Sequence, residues 1–526
     1  MAASADYVIV GAGINGLTCA ALLGKRGKKV LVLDREAEAG GCMRTGEITA
    51  PGYVHDVMAT TFVLFITSPA FAELGADLGR HGLDFAHSPH PTGVLLPDGR
   101  SLVQTNDREA NVARFNELVA GEGDRYRADV ETVERDADLV FGLLGGALWS
   151  WGTAKLLFRE ARRRGVRGLA GRVGEGMRSG RGWLETRYRS DLFQALFAPW
   201  VLHAGLGPES AFSGEMARVI AFALEAAGAP VVKGGAYKAV KAFEALIAEQ
   251  GGEVRTGADV DEILVSNGRA TGVKLANGDV IEARQGVICS VTPTQLYERL
   301  LPAGAVDSET RQRTEAYRYG KGNMQMHYAL KSPPRWKSEG LDQVALIHIT
   351  PGLDGVSKAV NECERGMLPE VPTICVGQPH ALDPSRCPDG AGILWIQLPE
   401  APRHIKGDAA GKIAVPEDGQ WTEELREAYA DRVEAILKKH ITGFAKNVVA
   451  RRAYSPADLE AMNVNLVGGD PYGGSCAIDQ FFIWRPFTNT VNHKTAITGL
   501  HHIGASTHPG PGLGGGSGFA LSQSLK

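Results

Sequence analysis

Tyr7-Val-Ile-Val-Gly11-Ala-Gly13-Ile-Asn15-Gly16, followed by Val30-Leu-Val-Leu-Asp34, is the stretch whose reading decides how this chain folds. Tyr7 to Val10 is an apolar run of the kind that forms a buried parallel strand, and it drops into Gly11-x-Gly13-x-x-Gly16 before a helix rich in Ala and Leu. Gly11 permits the tight turn, Gly13 lets the backbone approach a pyrophosphate, and Gly16 lets the helix pack closely on the strand. Asn15 lies in the same turn and is counted with it. The phosphates would sit on the helix N-terminus, where unpaired N–H groups and the positive dipole end favour an anion. Lys25-Arg26-Gly27 stops the helix, and a second buried strand ends in Asp34, where an acid hydrogen-bonds ribose hydroxyls. Asp34 disfavours a 2′-phosphate; Arg35 beside it works the other way.

Outward from this unit, Gly40-Gly41-Cys42-Met43-Arg44-Thr45 adds a second glycine pair just after the acid. A nicotinamide site has no need of it, so backbone wrapped around the far half of a longer cofactor favours FAD over NAD. Residues 233–290 return to helix and strands, with Asn267-Gly268 and Asn277-Gly278 as hairpin signals. A small antiparallel excursion is expected there, with the strand near Val260 returning its backbone to the adenine edge. Near the other end, Leu500 to Gly518 reads as a strand, a glycine-rich loop containing His508, and a helix from Phe519. Such a loop can set backbone N–H groups against an electron-rich ring.

Length and composition narrow the rest. At 526 residues the chain exceeds one hydrophobic core and divides into two domains. A net charge of −4 with 22% charged residues leaves no basic field for nucleic acid. Seven cysteines show no CxxC pair, so the spacing supports neither a metal site nor a disulfide framework, and a reducing cytoplasm is the natural setting. The first strand begins within six residues of the start, which leaves no room for a signal or transit peptide.

The predicted fold class is α/β: a Rossmann-type FAD-binding domain with a parallel central sheet, from residues 1–75, 231–300 and 481–526, plus a discontinuous α+β substrate domain, from 76–230 and 301–480. Residues 76–230 read as a mainly helical insertion with few strand signals. Within them, residues 139–158 (LVFGLLGGALWSWGTAKLLF) form a twenty-residue apolar run followed by Arg159, Arg162, Arg163 and Arg164. Lys155 and the glycines argue against a membrane span. A helix lining an apolar cavity is the first reading, and a membrane-surface patch for a lipophilic substrate the second. Trp200 and His203 read first as core and second as cavity wall. Gly322 to Leu330 and Ile393 to Leu398 alternate apolar and polar residues, with His327 on the face of Asn323 and Gln325, either in a cavity or in solvent.

Over nearly its whole length the chain resembles the phytoene-desaturase-like branch of the FAD-dependent amine-oxidase superfamily. The resemblance is carried by VIVGAGINGL with Asp34, GGCMRTGEITAPGYVHDV, SPAFAEL, VKGGAYKAVKAFEALIAEQGGEVRTGADV, DPSRCPDG, GGDPYGG and GLHHIGASTHPGPGLGGGSG. It implies non-covalent FAD, with pyrophosphate contacts at Gly11, Gly13 and Gly16 and ribose contact at Asp34. It further implies ribityl and flavin contacts at Gly41, Gly504, Ala505 and the loop from His508 through Gly512 and Leu513 to Gly514. Asp34 stands where the family more commonly has Glu, Cys42-Met43 departs from the family pattern, and the chain stops at Lys526 early in the closing helix. The implied activity is dehydrogenation or desaturation of an apolar or alicyclic small molecule, with hydride passing to flavin N5. Without a second GxGxxG unit, the electrons would leave to oxygen, a quinone or a protein carrier. His508, His203 and His327 are the candidate acid/base residues; no metal is expected. Oxidation of a C–N bond in an amine, and a redox-neutral isomerase or non-catalytic flavoprotein, remain open beside this reading.

Overall fold

The computed structural model describes residues 3–525. Ala3–Val10 lies inside the first of two seven-stranded sheets, parallel to Val30–Leu33 on one side and Val280–Ser290 on the other. Glu253–Arg255 and Leu500–Ile503 extend the parallel set, while Arg269–Leu275 and Val260–Ser266 add an antiparallel hairpin. Asn267 and Gly268 turn that hairpin with φ of +50° and +72°, the left-handed pair that matches strand twist. Side chains alternate across the opening strand. Tyr7 and Ile9 enter a core shared with helices Ile14–Lys25 and Tyr237–Glu249, and Val8 and Val10 enter a second core with Leu31, Leu33 and Val260.

The second sheet runs Val448–Tyr454, Gly322–Leu330, Gly392–Ala401, Ile374–Gly377, Leu346–Ile349, Thr92–Leu95, Ser101–Gln104. Met324, Met326, Tyr328 and Leu330 pack with Ile396 and Leu398 and with Tyr429, Val433 and Leu437 of helix Glu423–His440. The alternate residues, Asn323, Gln325 and His327, therefore face the first sheet's side. Residues 76–230 are mainly helical, as expected, with Phe85–Ala86, Thr92–Leu95 and Ser101–Gln104 as their strands; the last two are four residues each, too short for alternation to register.

The apolar run at 139–158 is not one helix. It breaks between Ala137–Gly145 and Trp151–Gly176, and the second helix is itself interrupted at Gly165, whose φ is +72°. Nor does the run line a cavity: Trp149, Trp151 and Phe158 are 54%, 85% and 68% exposed. Among the described residues no helix is long and apolar enough to cross a membrane.

A buried ion cluster joins the segments around the two sheets. Arg386, fully buried, meets Asp56 at 2.9 Å and Asp383 at 3.1 Å and donates to the Val232 carbonyl. Asp56 in turn accepts from the Thr45 hydroxyl and the Ala236 amide, at 2.7 and 2.8 Å. The motifs GYVHD, KGGA and DPSR thus meet at one point, where one guanidinium lies between two carboxylates whose remaining oxygens accept backbone and hydroxyl hydrogen bonds.

Candidate functional site

The site is a single cleft of about 410 Å³ running from the Gly11 turn to the near face of the second sheet. At its nucleotide end the lining includes Gly11, Gly13, Asn15, Asp34, Arg35, Gly41 and Val260. Helix Ile14–Lys25 opens after Gly13 with no acidic residue in its first turn and no side-chain cap, so its first amides are free to meet an anion. Gly11 has φ of +99°, and a Cβ there would stand 2.8 Å from the Ser290 carbonyl oxygen. A Cβ on Gly41 would lie 3.4 Å from the Gly13 Cα, so the two glycine turns abut. This is room for a pyrophosphate that any larger residue would fill.

Several expected contacts sit differently. Gly16 does not line the cleft; a Cβ on it would overlap the Gly11 carbonyl oxygen, so its part is packing. Asn15 borders the cleft, but its Oδ1 is occupied by the Ser517 hydroxyl at 2.8 Å, tying the first helix to the closing one. Asp34 accepts the Ala12 and Glu36 amides, at 2.8 and 3.0 Å, so its carboxylate clamps the turn as well as bordering the cleft. Burial raises its pKa, opposed by those two hydrogen bonds. The closing helix begins at Gly516, earlier than Phe519.

Midway, the GGDPYGG loop is held by its own acid. Asp470 accepts from the amides of Gly320, Tyr472 and Gly474 at 2.6, 2.7 and 2.9 Å. The buried Arg485 guanidinium donates to the carbonyls of Tyr472, Ala505 and Ser475 at 2.6, 2.9 and 3.0 Å, and the Ser506 hydroxyl to that of Gly473 at 2.6 Å. One wall therefore combines Tyr472 and Gly473 with Gly504, Ala505 and Ser506, and Gly512 and Leu513 continue it; Gly514 lies off the lining.

The three histidines separate. His203 lines the cleft, its Nε2 2.9 Å from Nε2 of His348. Burial lowers its pKa to about 4, so the imidazole is neutral at pH 7. His327 is neither in the cleft nor in solvent: it is fully buried, with Nε2 3.2 Å from the Val57 carbonyl oxygen. His508 is also off the lining, buried with no partner on either ring nitrogen. Both lose their place as acid/base candidates, because sequence position within a loop or strand does not say which way a ring turns.

At the other end of the cleft the second sheet contributes a wall. Gln325 is directly opposite Gln397, Gln397 opposite Cys375, and Cys375 opposite His348, so these share one face. Trp395 and Trp200 flank them, their indole N–H groups fixed on the Met58 carbonyl at 3.0 Å and the Thr92 hydroxyl at 3.2 Å. Trp200 and His203, read first as core, both border the cleft. Sequence reasoning missed Trp395, Gln397 and His348; the alternation through Ile393 to Leu398 was the available signal, and His348 left none. Donor atoms of His203, His348 and Cys375 lie within 4.8 Å of one another, a grouping that the cysteine spacing did not reveal. Burial keeps the Cys375 thiol protonated, and the imidazoles are hydrogen-bonded to each other, so packing accounts for the cluster.

Known proteins place this arrangement. An NAD(P)-binding Rossmann-like domain model matches residues 9–78. The mouse pyridine nucleotide-disulfide oxidoreductase domain-containing protein 2 is 24% identical, over 98% of this chain and 92% of its own length. A limonene dehydrogenase subunit of Castellaniella defragrans is 24% identical, over 99% and 94%, and a neurosporene-forming phytoene desaturase of Rhodobacter capsulatus 24%, over 98% and 93%. Among solved structures, a putrescine oxidase triple mutant superposes with a TM-score of 0.62 at 16% identity, covering 99% of this chain and 98% of that one, a likeness of fold.

Proposed function

We propose that the chain is a phytoene-desaturase-like FAD-dependent oxidoreductase that holds FAD non-covalently along the cleft and dehydrogenates a small, uncharged organic substrate between its two sheets. The observation that carries this reading is the distribution of charge along one cleft. Every charged lining residue falls at positions 34–44, 259 and 299, and the wall of Trp200, Trp395, Asn323, Gln325, Gln397 and Leu346 has none. A phosphate-bearing cofactor suits the first end, and an apolar body the second. Bound FAD supplies the two-electron acceptor.

The chain's own residues then have defined tasks. Gly11, Gly13 and the first helical amides seat the phosphates, and Asp34 presents its remaining lone pairs to a ribose. Arg485 and Asp470 fix the loop that walls the middle of the cleft. Trp200 and Trp395 orient the substrate and exclude water. His203, neutral and cleft-facing, takes up the proton that leaves with the substrate's electrons. Oxygen, a quinone or a protein carrier removes the electrons, and domain limits at 1–75, 231–300 and 481–526 against 76–230 and 301–480 follow the reading of two units.

Purified protein tests this directly. Stoichiometric FAD, bleached under anaerobic conditions by an alicyclic substrate, is expected, with product mass separating an alkene or enone from an imine. Folded protein that is colourless and refuses added FAD would falsify the reading.

A second, compatible reading concerns delivery of the substrate in a cytoplasmic setting. Exposed Trp149, Trp151 and Phe158 stand beside exposed Lys155, Arg159, Arg162, Arg163 and Arg167, the apolar and basic pairing of a membrane-surface contact. Co-sedimentation with vesicles containing anionic phosphatidylglycerol is expected, and a W151S/F158S double variant should reduce it about tenfold or more while leaving Tm unchanged. Equal sedimentation of both proteins removes this reading.

A further inference from the structure

We propose that the amide wall of the cleft, Asn323, Gln325 and Gln397, is a recognition site for a neutral O–H group, so that the substrate is an alcohol-bearing molecule on an apolar frame and not a plain hydrocarbon. The proposal rests on the dehydrogenase reading above and narrows its substrate class.

Asn323 and Gln325 are 2% and 3% exposed, both border the cleft, and Oδ1 of the first and Oε1 of the second have no hydrogen-bond partner. Buried amide oxygens left unpaired are costly, and native structures keep few of them. These two are neighbours on one strand face, and Gln397 sits directly opposite Gln325 on the next strand. Chance packing errors scatter, whereas these converge on the space that the substrate must enter. The opposite face of the same strand packs Met324, Met326, Tyr328 and Leu330 into the core, so unpaired amides are not a property of the strand as a whole.

The chemistry of the missing partner follows from what surrounds it. An amide presents one acceptor and two donors, and a hydroxyl can give a proton to one amide while accepting from another. A carboxylate or ammonium would find no counter-charge among the lining residues of this end, and burying it unpaired is prohibitive. His203, its imidazole neutral, adds no charge either. The flanking Trp200 and Trp395 rings fit an apolar frame carrying that hydroxyl. A plain hydrocarbon would displace water from the amides and return nothing, which is how a site built to hydrogen-bond rejects the analogue lacking the group.

The test uses the FAD-loaded full chain and two probes alike in shape, menthol and menthyl chloride, titrated by intrinsic tryptophan fluorescence and by the flavin absorption band. Menthol is expected to bind at least about tenfold more tightly. In N323L and Q325M, close in volume to the originals, that preference should collapse towards unity with FAD content unchanged. Menthol binding no tighter than the chloride, or failing to bind, overturns the proposal. So does a preference that survives both substitutions, or loss of FAD from the variants, which would assign the amides to the cofactor. The same fluorescence titration is run on the FAD-free chain, so failure of FAD binding, which sinks the broader reading, is distinguished from failure of alcohol selectivity.

Discussion

The two ends of the cleft are made of different materials. At the nucleotide end the chain offers backbone, glycine turns and the first amides of a helix, together with all the charged side chains of the lining, among them Asp34, whose oxygens are already engaged with Ala12 and Glu36. At the substrate end it offers side chains projected from a sheet, two indoles with anchored N–H groups, three amides and a neutral imidazole. A backbone site tolerates no added atom but is indifferent to side-chain chemistry. A side-chain site has the reverse character, so under the proposed function one end would take a constant cofactor and the other could be retuned for a substrate.

That contrast is sharpest at Gly11. Valine there must adopt φ near +99° with its Cβ against the Ser290 carbonyl oxygen, strain of a few kcal/mol before any phosphate clash is counted. FAD occupancy of G11V, read by absorbance after desalting, should fall by a factor of about 100 or more, whereas no single truncation at the amide wall should remove the cofactor. Retention of FAD in G11V would erase the distinction.

Arg386 tests what ties the segments around the two ends together. R386M leaves Asp56 and Asp383 buried without their cation, which should cost about 3–5 kcal/mol in chemical denaturation. The triple change R386M/D56N/D383N should recover part of that loss, since the penalty lies in uncompensated charge.

Acid should act more gently. Burial lowers His203, His493, His502 and His508 to about 4 from an ordinary 6.5. Between those values the unfolded chain binds more protons than the folded one, so stability is intact above about pH 6.5 and is lost as pH falls towards 4. Each such histidine should remove on the order of 1–2 kcal/mol at pH 5, visible as a lower Tm.

How much was legible in the chain follows the same line. Gly11, Gly13, Asp34 and Gly41 could be placed on one cleft in advance because a glycine turn between strand and helix is a local object: strand, glycines and helix lie close together, and their spacing is the geometry. Gly16 and Asn15 were placed in the right turn but with roles the contacts do not support, since both spend themselves on packing and on the closing helix. His327 and His508 went astray for another reason. Alternation says that His327 shares a face with Asn323 and Gln325, but not that the Val57 carbonyl would cover it. Residues 139–158 looked like one apolar helix because hydropathy does not register the break at Gly146 or the lack of a partner surface.

The sequence by itself determined the Rossmann-like nucleotide-binding unit and the mixed α/β class, because each depends on residues close together or on motifs with a fixed backbone task. Only the tertiary structure decided which side chains line the far end of the cleft. Trp200, His203, Asn323, Gln325 and Trp395 come from segments up to 195 residues apart, and their meeting depends on strand register and helix packing, long-range properties that no local spacing encodes.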